Sequence, residues 1–223
     1  MANKVNFHVV NESGDKGWES RVTSPDGSVT FVFGPELPPL NDGSVRLFTG
    51  TNGDQAAEIR SDGYHKTRLA DLTALRYWTY DVQNNGQQWP YLILQLDWNG
   101  DNQADDLIFF EPAYQTPATG NPALPDQGSP MLNAWQQWNA LVGGWWSENG
   151  IAGATPGTGV KSLSAYLAAR PNARIVNSPN GLGGVRLVHG FAGAADTFDG
   201  NVDAVTIGVQ GKSSIYDFEP PTD

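Results

Sequence analysis

The chain of 223 residues contains no cysteine. Disulfide bridges, thiolate metal sites and cysteine nucleophiles are therefore excluded. No apolar run reaches the ~18 residues that a membrane-spanning helix needs, so we expect no membrane insertion. Residues 1–4 (Met-Ala-Asn-Lys) do not resemble the apolar segment of a signal peptide. A cysteine-free chain favours a bacterial extracellular or cell-surface protein whose signal has been removed; a cytoplasmic location is the alternative.

Basic residues are scarce, with 13 Lys and Arg against 24 Asp and Glu, which gives a formal net charge of −11. Such a chain repels phosphate groups and anionic lipid, so neither nucleic acid nor a membrane surface is expected as a partner. An acidic surface remains compatible with bound cations and with neutral sugars.

Residues that interrupt regular secondary structure are abundant, with 26 Gly and 15 Pro. This composition favours short strands joined by turns over long helices. We predict one domain over residues 1–223, an all-β antiparallel sandwich of jelly-roll type. One short helix is expected at 162–169, capped by Ser162 or Ser164 and ended by Pro171. Residues 135–141 fit either a helix or a strand. The predicted strands cover 5–10, 29–33, 44–49, 57–60, 75–82, 91–96, 107–111, 174–176, 185–189, 201–209 and 215–218.

An acidic loop separates the apolar runs 91–96 and 107–110, so the two runs are expected to form a hairpin around it. Oxygen atoms recur along this loop with the spacing of ligands in a Ca²⁺ loop, which supplies six to eight oxygens. The predicted ligands are Asp97, Asn99, Asp101, Gln103 through its carbonyl, and Asp105. Ile108 stands where such loops place a glutamate, so a further carboxylate must come from Asp106 or Glu111. The alternative is a solvated turn whose Asp and Asn side chains bond their own backbone.

Several segments resemble galactose-binding-like jelly-roll domains, namely Trp18 with 35–39, 43–47 and 72–80. The segment 198–207 is similar to the closing strand of those domains and of concanavalin-like sandwiches. A closer resemblance, over 97–112, 135–138, 144–146 and 216–219, is to an uncharacterised domain of secreted, multidomain bacterial proteins.

The resemblance implies a jelly-roll fold and, by analogy, carbohydrate binding or adhesion, with enzymes a minority. It also implies a structural Ca²⁺ where the first and last strands meet. Asp203, Asp217 and Glu219 would be its ligands there, with Asp199 joining from the preceding turn. The alternative is that these carboxylates are hydrogen-bonded or exposed.

Aromatic residues are the candidate ligand-binding groups, because Trp and Tyr faces stack on the C–H faces of sugar rings while nearby polar groups bond the hydroxyls. The candidates are Trp89, Trp98, Tyr114, Trp145 and Trp146. Of the adjacent pair Trp145 and Trp146, one must point away from the core if the segment is a strand. The alternative for each is core packing.

These observations favour a Ca²⁺-stabilised module, without catalysis, that binds carbohydrate or a cell-surface glycan. A glycoside hydrolase or polysaccharide lyase on the same sandwich is the second hypothesis, and Glu111 and His189 would then be its catalytic residues. A purely structural domain of a larger surface protein is the third.

Overall fold

Strands are the main regular secondary structure in the computed structural model, which describes residues 4–23, 26–50, 55–191 and 196–222. These residues form one α-helix, α1 (Leu163–Ala169), and short 3₁₀ turns at Asp15–Gly17, Leu69–Asp71, Pro112–Tyr114, Ile151–Gly153 and Gly157–Gly159. The strands are β1 (Lys4–Val10), β2 (Trp18–Val22), β3 (Ser28–Phe33), β4 (Gly43–Phe48), β5 (Gln55–Ser61), β6 (Leu72–Gln83), β7 (Tyr91–Asp97), β8 (Asp106–Phe110), β9 (Trp135–Asn139), β10 (Trp146–Ser147), β11 (Arg174–Ile175), β12 (Val185–Phe191), β13 (Asp199–Val209) and β14 (Lys212–Phe218).

The strands form two sheets of seven. Sheet A has the order β1-β14-β13-β4-β3, with β6 on β13 and β9 on β6. Sheet B has the order β10-β8-β7-β12-β5-β2, with β11 on β7. Strand pairs are antiparallel except β1 with β14, which is parallel. The predicted all-β sandwich with one short helix is therefore confirmed.

The core lies between the two sheets and follows from the alternation of side chains along each strand. In β7, Leu92 and Leu94 face inward and join one apolar cluster with Leu47 of sheet A. Tyr91 and Ile93 face the opposite way and form a separate cluster on the outer side of sheet B. Sheet B thus buries apolar side chains on both faces.

Most predicted elements are present, with two additions. The predicted hairpin is confirmed, because Leu92 of β7 pairs with Phe110 of β8. Ser162 caps α1, since its hydroxyl accepts a hydrogen bond from the Ala165 amide. The ambiguous segment 135–141 contains the strand β9. The strands β2 and β10 were not predicted, because β2 has two charged residues in five and β10 is only two residues long.

No helix among the described residues has the length and apolar character needed to cross a bilayer.

Candidate functional site

The acidic loop between β7 and β8 is held by its own main chain. Asp97 is fully buried, and its carboxylate accepts hydrogen bonds from the amides of Gly100 (2.6 Å) and Asn102 (2.9 Å). The carboxylate of Asp105 accepts a hydrogen bond from the Trp98 amide at 2.8 Å. These are the backbone bonds that Asp side chains make in turns.

The remaining predicted ligands of this loop are exposed and bond locally. Asn99 accepts a hydrogen bond from the Asp101 amide, and Asp101 accepts one from the Gln103 amide, both at 2.8 Å. Asn99 also donates from its side chain to Asp105 at 2.8 Å. Oδ1 of Asn99 and Oδ1 of Asp101 therefore each already have a partner within the loop.

Arg174, on the short strand β11, places a positive charge against the loop. Its Nε and Nη2 atoms both donate to Oδ2 of Asp97, at 3.1 and 3.0 Å. Burial raises the pKa of Asp97, but the Gly100 amide, the Arg174 guanidinium and the Asn102 amide together outweigh it. The pKa of Asp97 consequently lies below its ordinary value.

Within the described ranges, no three His, Asp or Glu side chains are grouped so that they could hold a metal ion. Ca²⁺ at the acidic loop stays a prediction. The structure identifies a competitor for it, because a cation that bound Oδ2 of Asp97 would share that oxygen with Arg174.

The carboxylates near the chain ends were the second predicted cation site. Asp203 accepts hydrogen bonds from the amides of Phe218 (3.0 Å) and Leu40 (3.3 Å). Burial raises the pKa of Asp203 to about 8. Asp199 is not part of this group, because it forms a two-bond ion pair with Arg46 at 2.6 and 2.7 Å.

Asp217 and Glu219 lie together beside Asp203. Burial is the main reason that the pKa values of Asp217 and Glu219 are both raised. Asp217 accepts a short hydrogen bond from the Asn41 side chain, and its carboxyl group also shares a hydrogen bond with that of Glu219. Two acidic groups this close favour the protonated form of one of them.

Three of the five aromatic candidates are engaged by other side chains or by the core. Trp145 is only 2% exposed and donates from its indole to the Ala140 carbonyl at 2.8 Å. Trp146 points to the outer side of sheet B and stacks on Phe109, with ring centroids 3.9 Å apart. The expectation that one of this pair points away from the core is confirmed. The guanidinium of Arg170 lies 4.6 Å from the Trp98 ring centroid.

The other two aromatic candidates, Trp89 and Tyr114, meet in one cleft. This Trp89–Tyr114 cleft has a volume of about 320 Å³. Both rings are half-buried, so each presents part of its surface to the cleft. The other lining residues are Gly86, Gln87, Ala113, Thr116, Thr119, Ser129 and Pro130. Aromatic faces and neutral hydroxyl and amide groups thus share one concave surface.

The first wall of the cleft is a turn held by two asparagines. The Asn85 side chain accepts hydrogen bonds from the amides of Gln87 (3.0 Å) and Gln88 (3.1 Å). Asn84 accepts a hydrogen bond from the Gly86 amide and donates to the buried Asp81. The turn that precedes Trp89 is therefore tied to the end of β6.

The second wall follows Glu111 and is tied down by Gln115. The buried Gln115 side chain donates to the carbonyls of Glu111 and Gly144, both at 2.9 Å, and accepts from the Gly144 amide at 2.8 Å. Thr116 and Thr119 share a hydrogen bond of 2.9 Å. A side chain at Gly120 would collide with the Tyr114 carbonyl. Hydrogen bonds thus hold the segments on both sides of the cleft.

The polar lining residues Thr116, Thr119 and Ser129 were not predicted as site residues. Thr116 and its neighbour Gln115 are buried. Their local sequence carries no signal for this, because the packing depends on Gly144 across the fold.

The residues proposed for the enzyme hypothesis do not meet. Glu111 lies on the outer side of sheet B, where it accepts a hydrogen bond from the Trp146 indole at 2.7 Å. Burial raises the pKa of Glu111, and this hydrogen bond opposes the rise. His189 faces inward and is fully buried, 3.8 Å from Asp81. Burial lowers the pKa of His189 to about 3.

Comparison of the chain with protein-family models, with curated proteins and with solved structures finds no match. A functional assignment is accordingly drawn from the residues of the site alone.

Proposed function

We propose that this protein is a non-catalytic carbohydrate-binding module and that the Trp89–Tyr114 cleft is its ligand site. The observation that carries the proposal is the convergence of two aromatic rings, from segments on either side of the β7–β8 hairpin, in one cleft with neutral polar groups. A sugar presents C–H faces to aromatic rings and hydroxyls to amides and hydroxyls, so this lining matches both of its surfaces.

The size and charge of the cleft support a neutral sugar. A volume of about 320 Å³ is near the lower end of ligand pockets, at ~300–1,000 Å³, and suits a terminal sugar unit. None of the described lining residues is an aspartate or a glutamate. Glycoside hydrolysis uses two facing carboxylates ~5–10 Å apart, so this lining supports binding without cleavage.

The hydrogen bonds of Asn85 and Gln115 support a preformed cleft. A preformed site loses little conformational entropy when a ligand binds. The cleft is open and has few polar contacts to offer, so we expect affinity in the ~millimolar to micromolar range. A glycan on a cell surface, presented in many copies, is a suitable target for a site of this strength.

The test is a glycan array followed by titration of the retained glycans, monitored by intrinsic tryptophan fluorescence. Trp89→Ala and Tyr114→Ala should each weaken binding at least about tenfold, because each removes one stacking face. Phe33→Ala is the matched control, since Phe33 is 76% exposed and lies outside the cleft. It should bind as the unmodified protein does.

Two outcomes contradict the proposal in different ways. Glycan binding that survives both Trp89→Ala and Tyr114→Ala would move the site elsewhere on the molecule. An array that retains no glycan would overturn carbohydrate binding itself and favour the structural-domain hypothesis.

A further inference from the structure

A second cleft lies on the outer face of sheet B, and it shares no lining residue with the Trp89–Tyr114 cleft. Strand alternation places Tyr91 and Ile93 of β7 on this face, while Leu92 and Leu94 fill the core. Val188 of β12 is the register partner of Tyr91, so it belongs to the same face. We call this the sheet B cleft; its volume is about 290 Å³.

The floor and walls of the sheet B cleft are apolar. Tyr91, Ile93 and Val188 form the floor and are each no more than 5% exposed. Phe109 and Phe191 form walls, and Phe191 is 39% exposed. The Tyr91 hydroxyl donates to the Gly190 carbonyl at 3.0 Å, so it adds little polarity to the floor. An apolar concave surface of this kind is a candidate binding site.

One charged residue lines the described part of this cleft, and it is Arg186. Its Nε donates to Glu58 at 2.7 Å, and its side chain is 17% exposed. No hydrogen bond from its Nη1 or Nη2 atoms is found among the described residues. A guanidinium presents paired N–H groups that match the two oxygens of a carboxylate.

The surroundings of Arg186 carry charges of both signs. Glu58 is buried and also has Arg21 at 3.3 Å and Arg60 at 3.5 Å, so three arginines share its one carboxylate. Glu19, the register partner of Arg60, and Glu111, which raises the pKa of Tyr91, are further carboxylates on this face. Arg186 is the charged residue among the described lining residues, so it is the charge that a ligand in the cleft would meet.

We infer that the sheet B cleft binds a small carboxylate with an apolar body. The apolar part of the ligand lies over Tyr91, Ile93 and Val188, and its carboxylate accepts hydrogen bonds from Nη1 and Nη2 of Arg186. An aryl-alkyl carboxylate and a medium-chain fatty acid share this chemistry. The inference does not depend on carbohydrate binding in the Trp89–Tyr114 cleft.

The test compares each carboxylate with its uncharged amide. The probes are 3-phenylpropionate, octanoate and the two corresponding primary amides, titrated into the full chain by calorimetry and by NMR of the tryptophan indole signals. Each carboxylate should bind at least about tenfold more tightly than its amide, because the charged acceptor makes the stronger hydrogen bonds with a guanidinium. The carboxylate with the higher affinity shows whether the apolar part of the ligand is aromatic or alkyl.

Variants locate the binding. Arg186→Gln should weaken carboxylate binding at least about tenfold and abolish the preference over the amide. Arg68→Gln is the matched control, because Arg68 is exposed and lies outside the cleft. Phe191→Ala removes an exposed wall, so it should weaken both carboxylate and amide while keeping the preference between them. If Arg186→Gln does not fold, Phe191→Ala still shows whether the ligand lies in the sheet B cleft.

Equal binding of carboxylate and amide would overturn the anionic ligand. Absence of binding by all four probes would overturn the site. Unchanged binding in both Arg186→Gln and Phe191→Ala would place the ligand elsewhere.

Discussion

Replacing Arg174 with glutamine tests what holds the acidic loop. Among the residues that the structure describes, Arg174 is the only positively charged side chain bonded to the fully buried Asp97, with two N–H groups at 3.1 and 3.0 Å. Without the guanidinium, Asp97 keeps the Gly100 and Asn102 amides but loses its counter-charge. A buried carboxylate without a counter-charge is destabilising.

The magnitude follows from the burial of the two partners. Breaking a buried ion pair by removing one member costs ~3–5 kcal/mol. The Arg174 side chain is 27% exposed, so water screens part of the interaction, and we expect a loss of about 2–3 kcal/mol in the free energy of unfolding. For a domain of this size, each kcal/mol lowers the Tm by ~2–4 °C, which gives a fall of about 4–12 °C.

The pH dependence provides a second readout with a definite sign. Because the pKa of Asp97 is lowered in the folded protein, its stabilising contribution is present above the ordinary Asp value of ~3.9 and is lost as the pH falls through the folded value. Arg174→Gln removes one cause of that lowering. The stability that is lost between neutral and strongly acidic pH should therefore be smaller in the variant than in the unmodified protein.

The assay is thermal unfolding followed by circular dichroism, at neutral pH and across an acidic series. Arg68→Gln is the control, since it removes an exposed arginine beside the same short strand. If Arg174→Gln melts within about 1 °C of the unmodified protein, far less than the loss of a buried ion pair implies, the Arg174–Asp97 pair does not hold the loop.

Three further predictions concern cations, titration and capping. If Ca²⁺ binds, excess Ca²⁺ should raise the Tm by several degrees and EDTA should remove the gain. Loss of this gain in Asp217→Asn would place the ion at the chain-end carboxylates, and loss in Asp105→Asn would place it at the acidic loop. No response of the Tm to either additive would contradict Ca²⁺ binding. Asp203 has a folded pKa of about 8, above its ordinary value, so its contribution to the free energy of unfolding is fully present below pH ~3.9 and is lost as the pH rises to about 8. Asp203→Asn should therefore reduce the difference in free energy of unfolding between pH 5 and pH 8, measured with urea. An unchanged difference would contradict the raised pKa of Asp203. Ser162→Ala removes the cap of α1 and should cost ~1 kcal/mol in urea unfolding, whereas Ser164→Ala, which leaves the Ala165 amide bonded, should cost less.

Site contacts between residues close in the chain were predicted from the sequence, and contacts between distant residues were not. The Asp and Asn spacing after β7 predicted either a cation loop or a bonded turn, and the turn bonds are local, such as Asn99 with the Asp101 amide. Arg174 lies 77 residues from Asp97, and no local pattern indicated their contact. Their meeting depends on β11 pairing with β7.

For the aromatic candidates too, the sequence predicted local orientation but not which distant residues meet. Alternation predicted that one of Trp145 and Trp146 faces outward, but the pairing of Trp146 with Phe109 across β10 and β8 decides which one. Trp89 and Tyr114 were separate candidates until the two loops beside the β7–β8 hairpin brought them into one cleft. Arg186 of the sheet B cleft was not a candidate, because an arginine within a strand is common on a solvated face.

The sequence by itself determined the class of fold, the positions of most strands, a serine cap for the helix (at Ser162 or Ser164) and the exclusion of cysteine chemistry. These depend on interactions between residues close in the chain: alternation along a strand, a hydroxyl with an amide three residues on, a breaker between two apolar runs. Only the tertiary structure decided that Arg174 faces Asp97, that Trp89 and Tyr114 share a cleft, and that Arg186 lines an apolar groove. Those contacts depend on which strands pair and in what register, and one sequence constrains that register only through the whole core.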